Sequence, residues 1–315
     1  MGEMGVSLFF TLSGFLITFL LLSEKKETGS ISIKKFYARR ILRIWPLYYL
    51  IIITGLFIIP HITFLEVPDT QNIHQNFFAK VVLYFLIFPN TAWAKFGRIP
   101  FVVQTWSIGV EEQFYLIWPW IITRLNHILA FLSAVYLLYL FYDIYASINY
   151  LQLSIYYNFS CISMGAIGGI LFYRKQRHFL KIVHSHYIFL ISLLAVFVLF
   201  FLKNDVFHLQ EIFAILYTII IVYLATAPHK IINLRWLDYL GKISYGIYMY
   251  NFIIIFLVLK ILEKTHVATN SGYFHILSFV FSIPLIILIS HLSYEYFEKK
   301  FLRIKKKFEV IQSAG

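Results

Sequence analysis

Charge is scarce in this chain. Of its 315 residues only 13% are charged, while 60% are hydrophobic and 20% aromatic. A soluble domain carries roughly a quarter charged residues and about half apolar ones. The composition therefore excludes an ordinary water-soluble globular protein and points to an all-α, polytopic membrane bundle. The apolar runs leave no room for a separate soluble domain, so a single transmembrane domain is expected over 1–315. Acid is scarcer than base, with 15 Asp and Glu against 27 Lys and Arg. A net charge of +12 is a common mark of nucleic-acid binding, but here the basic residues fall in blocks between apolar runs, the positive-inside pattern of membrane proteins. A nucleic-acid partner is excluded on that ground. The one cysteine, Cys161, rules out a disulfide within the chain and a cysteine-based metal site, and no metal-ligand spacing stands elsewhere. Met1–Met4 lacks the basic start of a cleavable signal.

Runs long enough to span a bilayer, roughly 17–25 residues, lie at 5–22, 41–60, 106–123, 128–146, 156–173, 187–202, 208–226, 241–262 and 274–293. A shorter run occupies 77–91. Charge decides whether it crosses. Loop 23–43 holds seven Lys and Arg between Lys25 and Arg43 and belongs on the cytoplasmic side, whereas 61–76 holds none. If 77–91 crossed, the Arg174–Lys181 block and the Lys299–Lys307 tail would both be outside. If it does not cross, these blocks and the Lys230–Lys242 loop are inside. The run 77–91 is therefore expected to be re-entrant or interfacial within one outer loop, covered by protein or water. Nine spans result, with the C-terminus cytoplasmic.

The run TWSIGVEEQFYLIWPW, from Thr105, sets two carboxylates at the head of an apolar span. A charge at bilayer depth costs at least a few kcal/mol, which makes Glu111 and Glu112 functional candidates. On a helix Glu111 and Tyr115 share a face, and Glu112 points about 100° away. The competing reading is two first-turn carboxylates at the positive end of a helix dipole. Three further segments carry polar groups in apolar surroundings. In GVSLFFTLSGFLIT, Ser13 and Gly14 allow close helix approach. In FYARRILRIWPLYY, Arg40 and Arg43 share a face and can clamp phosphate, or serve as ordinary anchors beside an aromatic belt. In LGKISYGIYMYNF, Ser244, Tyr245, Tyr248 and Asn251 need hydrogen-bond partners, which interhelical contacts would supply.

Taken in this order, GVSLFFTLSGFLIT, FYARRILRIWP, TWSIGVEEQFYLIWP, GKISYGIYMYNF and HLSYEYFEKKFL resemble acyltransferase family 3, the bacterial inner-membrane O-acyltransferases. The resemblance runs from Gly5 to about Leu302. It implies a ten-helix architecture and transfer of an acyl group, usually acetyl, from cytoplasmic acyl-CoA. The acceptor it implies is a sugar hydroxyl of lipopolysaccharide, exopolysaccharide, peptidoglycan or a small glycosylated product. Arg40 and Arg43 match the family's Arg-x-x-Arg motif, with Arg39, Lys34 and Lys35 adding positive field. Glu111 matches the carboxylate of WS-x-x-x-E and is the expected catalytic residue. Glu112, Gln113 and Tyr115 continue that motif, and Ser13, Trp106, Glu112, Tyr115, Tyr245 and Asn251 are expected to line the substrate cavity. No tightly bound cofactor is implied; acyl-CoA, carbohydrate or glycolipid, and membrane lipid are the partners.

The family's first helix, with an Arg and a His, should precede Gly5 and is absent, so the chain is expected to be N-terminally truncated. None of the eleven histidines is an obvious substitute. His291 is expected to pair with Glu295, and His61 sits at the outer mouth of the second span. Asn251 stands where the family often has His, and an amide cannot exchange a proton. Two other readings remain open: a proton-coupled lipid or glycolipid transporter, and a non-catalytic remnant.

Overall fold

The structure is a computed structural model and describes residues 2–62, 74–125, 127–148, 159–202, 209–226, 234–264 and 272–310. His208, His229, Lys230, His266 and most of the 61–76 loop lie outside the described residues. Among the described residues every regular element is helical. The α-helices are α1 (Gly2–Thr28), α2 (Ile33–Ile53), α3 (Phe77–Phe85), α4 (Pro89–Phe96), α5 (Thr105–Arg124), α6 (Ile128–Ile148), α7 (Phe159–Tyr173), α8 (Arg177–Val183), α9 (His186–Leu202), α10 (Leu209–Thr226), α11 (Arg235–Glu263), α12 (Gly272–Ser293) and α13 (Lys299–Lys306). A π turn, Thr54–Ile58, extends α2, and another, Tyr294–Glu298, joins α12 to α13.

Among the described residues four helical stretches have the length and apolarity to cross a membrane: Met4–Thr28, Ile33–His61, Arg235–Glu263 and Gly272–Lys306. A fifth is α8 with α9, bent by 64° at their junction. Ile128–Phe141, Phe159–Tyr173 and Gln210–Thr226 are apolar but shorter. The chain is thus a helical membrane protein.

The chain packs as two compact units. One comprises Met1–Ile33, Val110–Asn233 and Ile311–Gly315; the other comprises Lys34–Gly109 and Leu234–Val310. In the first unit α1 is the central helix. Gly14 and Gly165 are the reason α7 lies so close to it. A Cβ on Gly14 would stand 2.0 Å from the carbonyl oxygen of Ile162, and one on Gly165 would stand 1.9 Å from that of Thr11. Small residues at a helix crossing let backbones meet where lipid offers no hydrophobic drive. Beside this contact, Phe15, Phe213, Tyr217, Val222 and Tyr223 form an apolar core.

Helices α1 and α5 run parallel. Ser13 meets Glu111, Thr18 meets Trp118, and Lys25 meets Ile122, so the register rises along both chains together. In the 77–91 run α3 has 9 residues, fewer than the about 20 needed to span.

In the second unit, the hydroxyl of Tyr48 donates to the carbonyl of Tyr84 at 2.8 Å, and that of Tyr49 to Phe85 at 3.0 Å. The end of α3 is thus pinned to the middle of the Ile33–His61 stretch, where its carbonyls would otherwise face apolar surroundings. Helices α2 and α11 are parallel: Tyr245 bonds Ile44 at one end, and Ile59 packs with Phe256 and Leu257 toward the other.

Two measurements check this arrangement. Gly165→Ala should destabilise the detergent-solubilised protein by about 1–3 kcal/mol, the usual range for overpacking, whereas Gly5→Ala, with nothing within 4 Å, should leave thermal unfolding unchanged. Because Cys161 is buried, introduced cysteines can be read alone. Asn76→Cys and Lys95→Cys, which flank the 77–91 run, should both react with an impermeant maleimide from the same side of the membrane. Labelling from opposite sides would mean that the segment crosses.

Candidate functional site

Two polar clusters stand out, one in each unit. The first is built on Glu111, the seventh residue of α5. It is 3% exposed. Its depth in the helix disposes of the first-turn reading, since the dipole effect fades beyond the first turn. Its carboxylate accepts from the hydroxyls of Ser13, on α1, and Tyr115, one turn along α5. Ser13 and Tyr115 also bond each other, which closes a three-membered ring of side chains. The spacing of four brings Glu111 and Tyr115 together, as a helix requires. The approach of Ser13 depends on the tertiary fold. Further along the same seam, the indole N–H of Trp118 donates to Thr18 at 2.9 Å and Lys25 donates to the Ile122 carbonyl at 3.1 Å. Glu112 is half-buried beside the cluster. A buried carboxylate held by two hydroxyls is a positioned proton acceptor; the same hydroxyls can pass a proton or orient a third hydroxyl group.

The second cluster lies where α2 meets the end of the second unit. Arg39 donates to the carbonyl of Phe308 at 2.8 Å, and the Arg40 guanidinium lies 5.7 Å from the Phe36 ring centroid. Arg43 is exposed and within electrostatic range of Glu298, and Lys305 is in range of all three arginines. Glu298 ends the π turn and is buried. The Tyr250 hydroxyl donates to Ser293 at 3.1 Å, and Ser293 donates to Glu298 at 3.1 Å. Gly246 leaves the space: a Cβ there would come within 3.4 Å of the Glu298 carboxylate. Two carboxylates meet this group of four cations: Glu298, held by the Ser293 hydroxyl and in range of Arg43, and Glu309, which pairs with Lys305 at 3.9 Å. Such a basic cluster is suited to an anion with several phosphates.

Comparison with known proteins gives this geometry a context. The acyltransferase domain family matches residues 1–294. The chain belongs to this family. Among curated relatives of the acyltransferase domain, the putative O-acetyltransferase SACOL0978 of Staphylococcus aureus (strain COL) is 27% identical over 330 residues, covering 95% of this chain and 52% of that protein. The peptidoglycan O-acetyltransferase OatA of Listeria monocytogenes is 34% identical over 122 residues, 38% of this chain and 19% of that protein. The putative peptidoglycan O-acetyltransferase YrhL of Bacillus subtilis is 30% identical over 125 residues, again 38% and 19%. The chain therefore spans about half the length of the relatives it matches most fully. No solved structure matches it. The match favours an acyltransferase over a transporter.

Within this acyltransferase domain the remaining expected site residues take separate places. Trp106 packs edge-on against Trp93 at 5.9 Å. Tyr245 donates to the Ile44 carbonyl at 2.9 Å, one residue after Arg43, so it supports the arginine helix. Tyr248 bonds Ser107 at 2.6 Å and the Gln104 carbonyl at 2.9 Å. These two tyrosines are the interhelical ties that the sequence called for. Asn251 is half-buried and its side-chain oxygen accepts from the Phe252 amide at 2.6 Å, a local bond. His291 does not pair with Glu295. Its Nδ1 bonds the Tyr239 hydroxyl, and Glu295 is taken by Lys299 at 2.5 Å. Glu295 is thus drawn to the lysine four residues on, across the π turn Tyr294–Glu298, and is not left for the histidine four residues back. His61 is exposed.

Sequence reasoning missed Glu298 and its Tyr250–Ser293 support. A carboxylate inside HLSYEYFEKKFL was legible as a charge in an apolar span; its burial toward Gly246 was not. It also missed the buried Glu211, to which Ser160 donates at 3.3 Å.

A double-mutant cycle tests the three-membered cluster. Ser13→Ala and Tyr115→Phe, measured singly and together by thermal unfolding, should be non-additive by about 1 kcal/mol, within the range for residues that share a hydrogen-bond network. Simple additivity would show that the two hydroxyls act independently.

Proposed function

We propose that this chain transfers an acyl group, acetyl in the first instance, from acyl-CoA to a hydroxyl of a cell-surface carbohydrate. The observation that carries the reading is the buried Ser13–Glu111–Tyr115 cluster in a domain of the acyltransferase family. A sugar hydroxyl attacks a thioester slowly unless a base takes its proton. Glu111 accepts the hydroxyl's hydrogen bond and draws off the proton as the new C–O bond forms. The C–S bond breaks and the proton passes to the departing thiolate. Ser13 and Tyr115 hold the carboxylate's orientation and share its charge, so less reorganisation is needed at the moment of transfer.

The donor's phosphates are bound by Arg39, Arg40 and Arg43, whose planar, permanently charged groups suit phosphate oxygens. Glu298 stands within electrostatic range of Arg43. The basic end of the helices faces the cytoplasm, where acyl-CoA is made, as the pattern of basic blocks in the sequence favours. The names of OatA and YrhL direct the choice of acceptor toward peptidoglycan, ahead of lipopolysaccharide, exopolysaccharide or a glycolipid.

The test is transfer of radiolabelled acetyl from acetyl-CoA to peptidoglycan fragments and to glycolipid by membranes holding the full chain. Glu111→Gln should lower kcat by about 100-fold or more, in the range for a lost general base. Arg43→Ala should raise KM for acetyl-CoA about tenfold with little change in kcat, the pattern of lost ground-state binding. A Glu111→Gln protein that transfers at the parental rate would remove this carboxylate from the chemistry.

A further inference from the structure

The first unit holds a cavity that the acyl-transfer reading does not use. It has a volume of about 380 Å³ and lies among the ends of α1, α7, α8 and α10, at the lower end of the size range of small-ligand sites. Its lining is mixed. Phe19, Phe172 and Leu180 supply apolar surface, with Phe19 and Phe172 ring to ring at 5.4 Å. Lys26, Lys175 and His184 join them in the lining, with Ser23 and Thr226. Glu27 is the one acidic group of the lining. Arg174, Arg177 and Lys181 lie in the same turn and short helix, so the net field is positive.

Two further observations mark this place. Lys175 has φ 50, in the left-handed region. Glycine or asparagine is the usual residue there. The turn closes the C-terminus of α7, with the Gln176 amide donating to the Leu171 carbonyl at 3.1 Å, and it sets Lys175 on the lining of the cavity. Next to it, α8 meets α9 at 64°. Lys26 and Lys175 stand at the ends of the apolar helices α1 and α7, beside Lys25, Arg174 and Arg177, where basic residues meet a membrane interface.

We propose that this cavity binds the headgroup of an anionic phospholipid. The phosphodiester lies between Lys26 and Lys175, the headgroup hydroxyls meet Ser23 and Thr226, and the upper acyl chain lies on Phe19, Phe172 and Leu180. Basic pockets between membrane helices recognise anionic headgroups by this chemistry. A free phosphate would gain nothing from the aromatic rings, and a zwitterionic lipid would bring its own cation against the lysines.

Native mass spectrometry of the detergent-extracted full chain tests the proposal. With phosphatidylglycerol and phosphatidylcholine supplied together, one phosphatidylglycerol should be retained in preference. Lys26→Gln/Lys175→Gln should weaken that retention about tenfold or more, given the contribution of each basic residue near a membrane surface. Lys26→Arg/Lys175→Arg should preserve it, which guards against simple misfolding. Lys300→Gln/Lys307→Gln, exposed and in the other unit, should also preserve it. Equal loss in that control, or retention of both lipids alike, would overturn the proposal. Displacement of the lipid by millimolar glycerol phosphate would assign the cavity to soluble phosphates, and displacement by CoA would assign it to the acyl donor. Either result would overturn the lipid assignment without touching the role of Glu111.

Discussion

A carboxylate inside an apolar bundle is tolerated only if its lone pairs are met, and Glu111 sets that demand in the first unit. Ser13 and Tyr115 meet it. Tyr115 is on the same helix, whereas Ser13 ties the carboxylate to another element, so α1 lies against α5 in one register and one direction. The Thr18–Trp118 and Lys25–Ile122 bonds hold the same register further along. The other face of α1 is then committed as well, because Gly14 carries the contact with α7 next to the serine that carries the contact with Glu111. The pair Ser13-Gly14 thus does two jobs. The hydroxyl answers a buried charge, and the missing side chain admits a neighbouring backbone.

The second unit solves a related problem with tyrosines. The end of α3 leaves carbonyls that no helix continues, and Tyr48 and Tyr49 supply the hydrogens. Tyr245 and Tyr248 do the same for carbonyls of α2 and of the turn before α5. A phenol can reach across an apolar interface, bury its ring and still satisfy a polar atom at the far side. The high aromatic content is thus partly a means of closing backbone hydrogen bonds where water is excluded. The π turn at Tyr294–Glu298 belongs to the same economy of polar groups: it lets Glu298 turn inward to Ser293, where Arg43 is in range.

The clusters also explain why one end of each unit is basic. In the second unit Arg39, Arg40, Arg43 and Lys305 gather with Glu298 and Glu309. In the first unit Lys26, Lys175 and His184 share the lining of a cavity with Phe19 and Phe172.

The sequence by itself determined the class of protein, the family and the identities of the principal groups. Apolar runs, basic blocks and the ordered motifs around Ser13, Arg40, Arg43 and Glu111 are local features, and the Glu111–Tyr115 pair follows from helical spacing alone. The tertiary structure decided what depends on separate helices meeting: Ser13 as partner of Glu111, Glu298 behind Arg43, Tyr239 in place of Glu295 beside His291, and the Lys26–Lys175 cavity. Hydropathy and spacing record what each helix carries, but they do not record which neighbour faces it. A buried polar group takes its partner from whichever helix brings a hydrogen-bonding atom within reach.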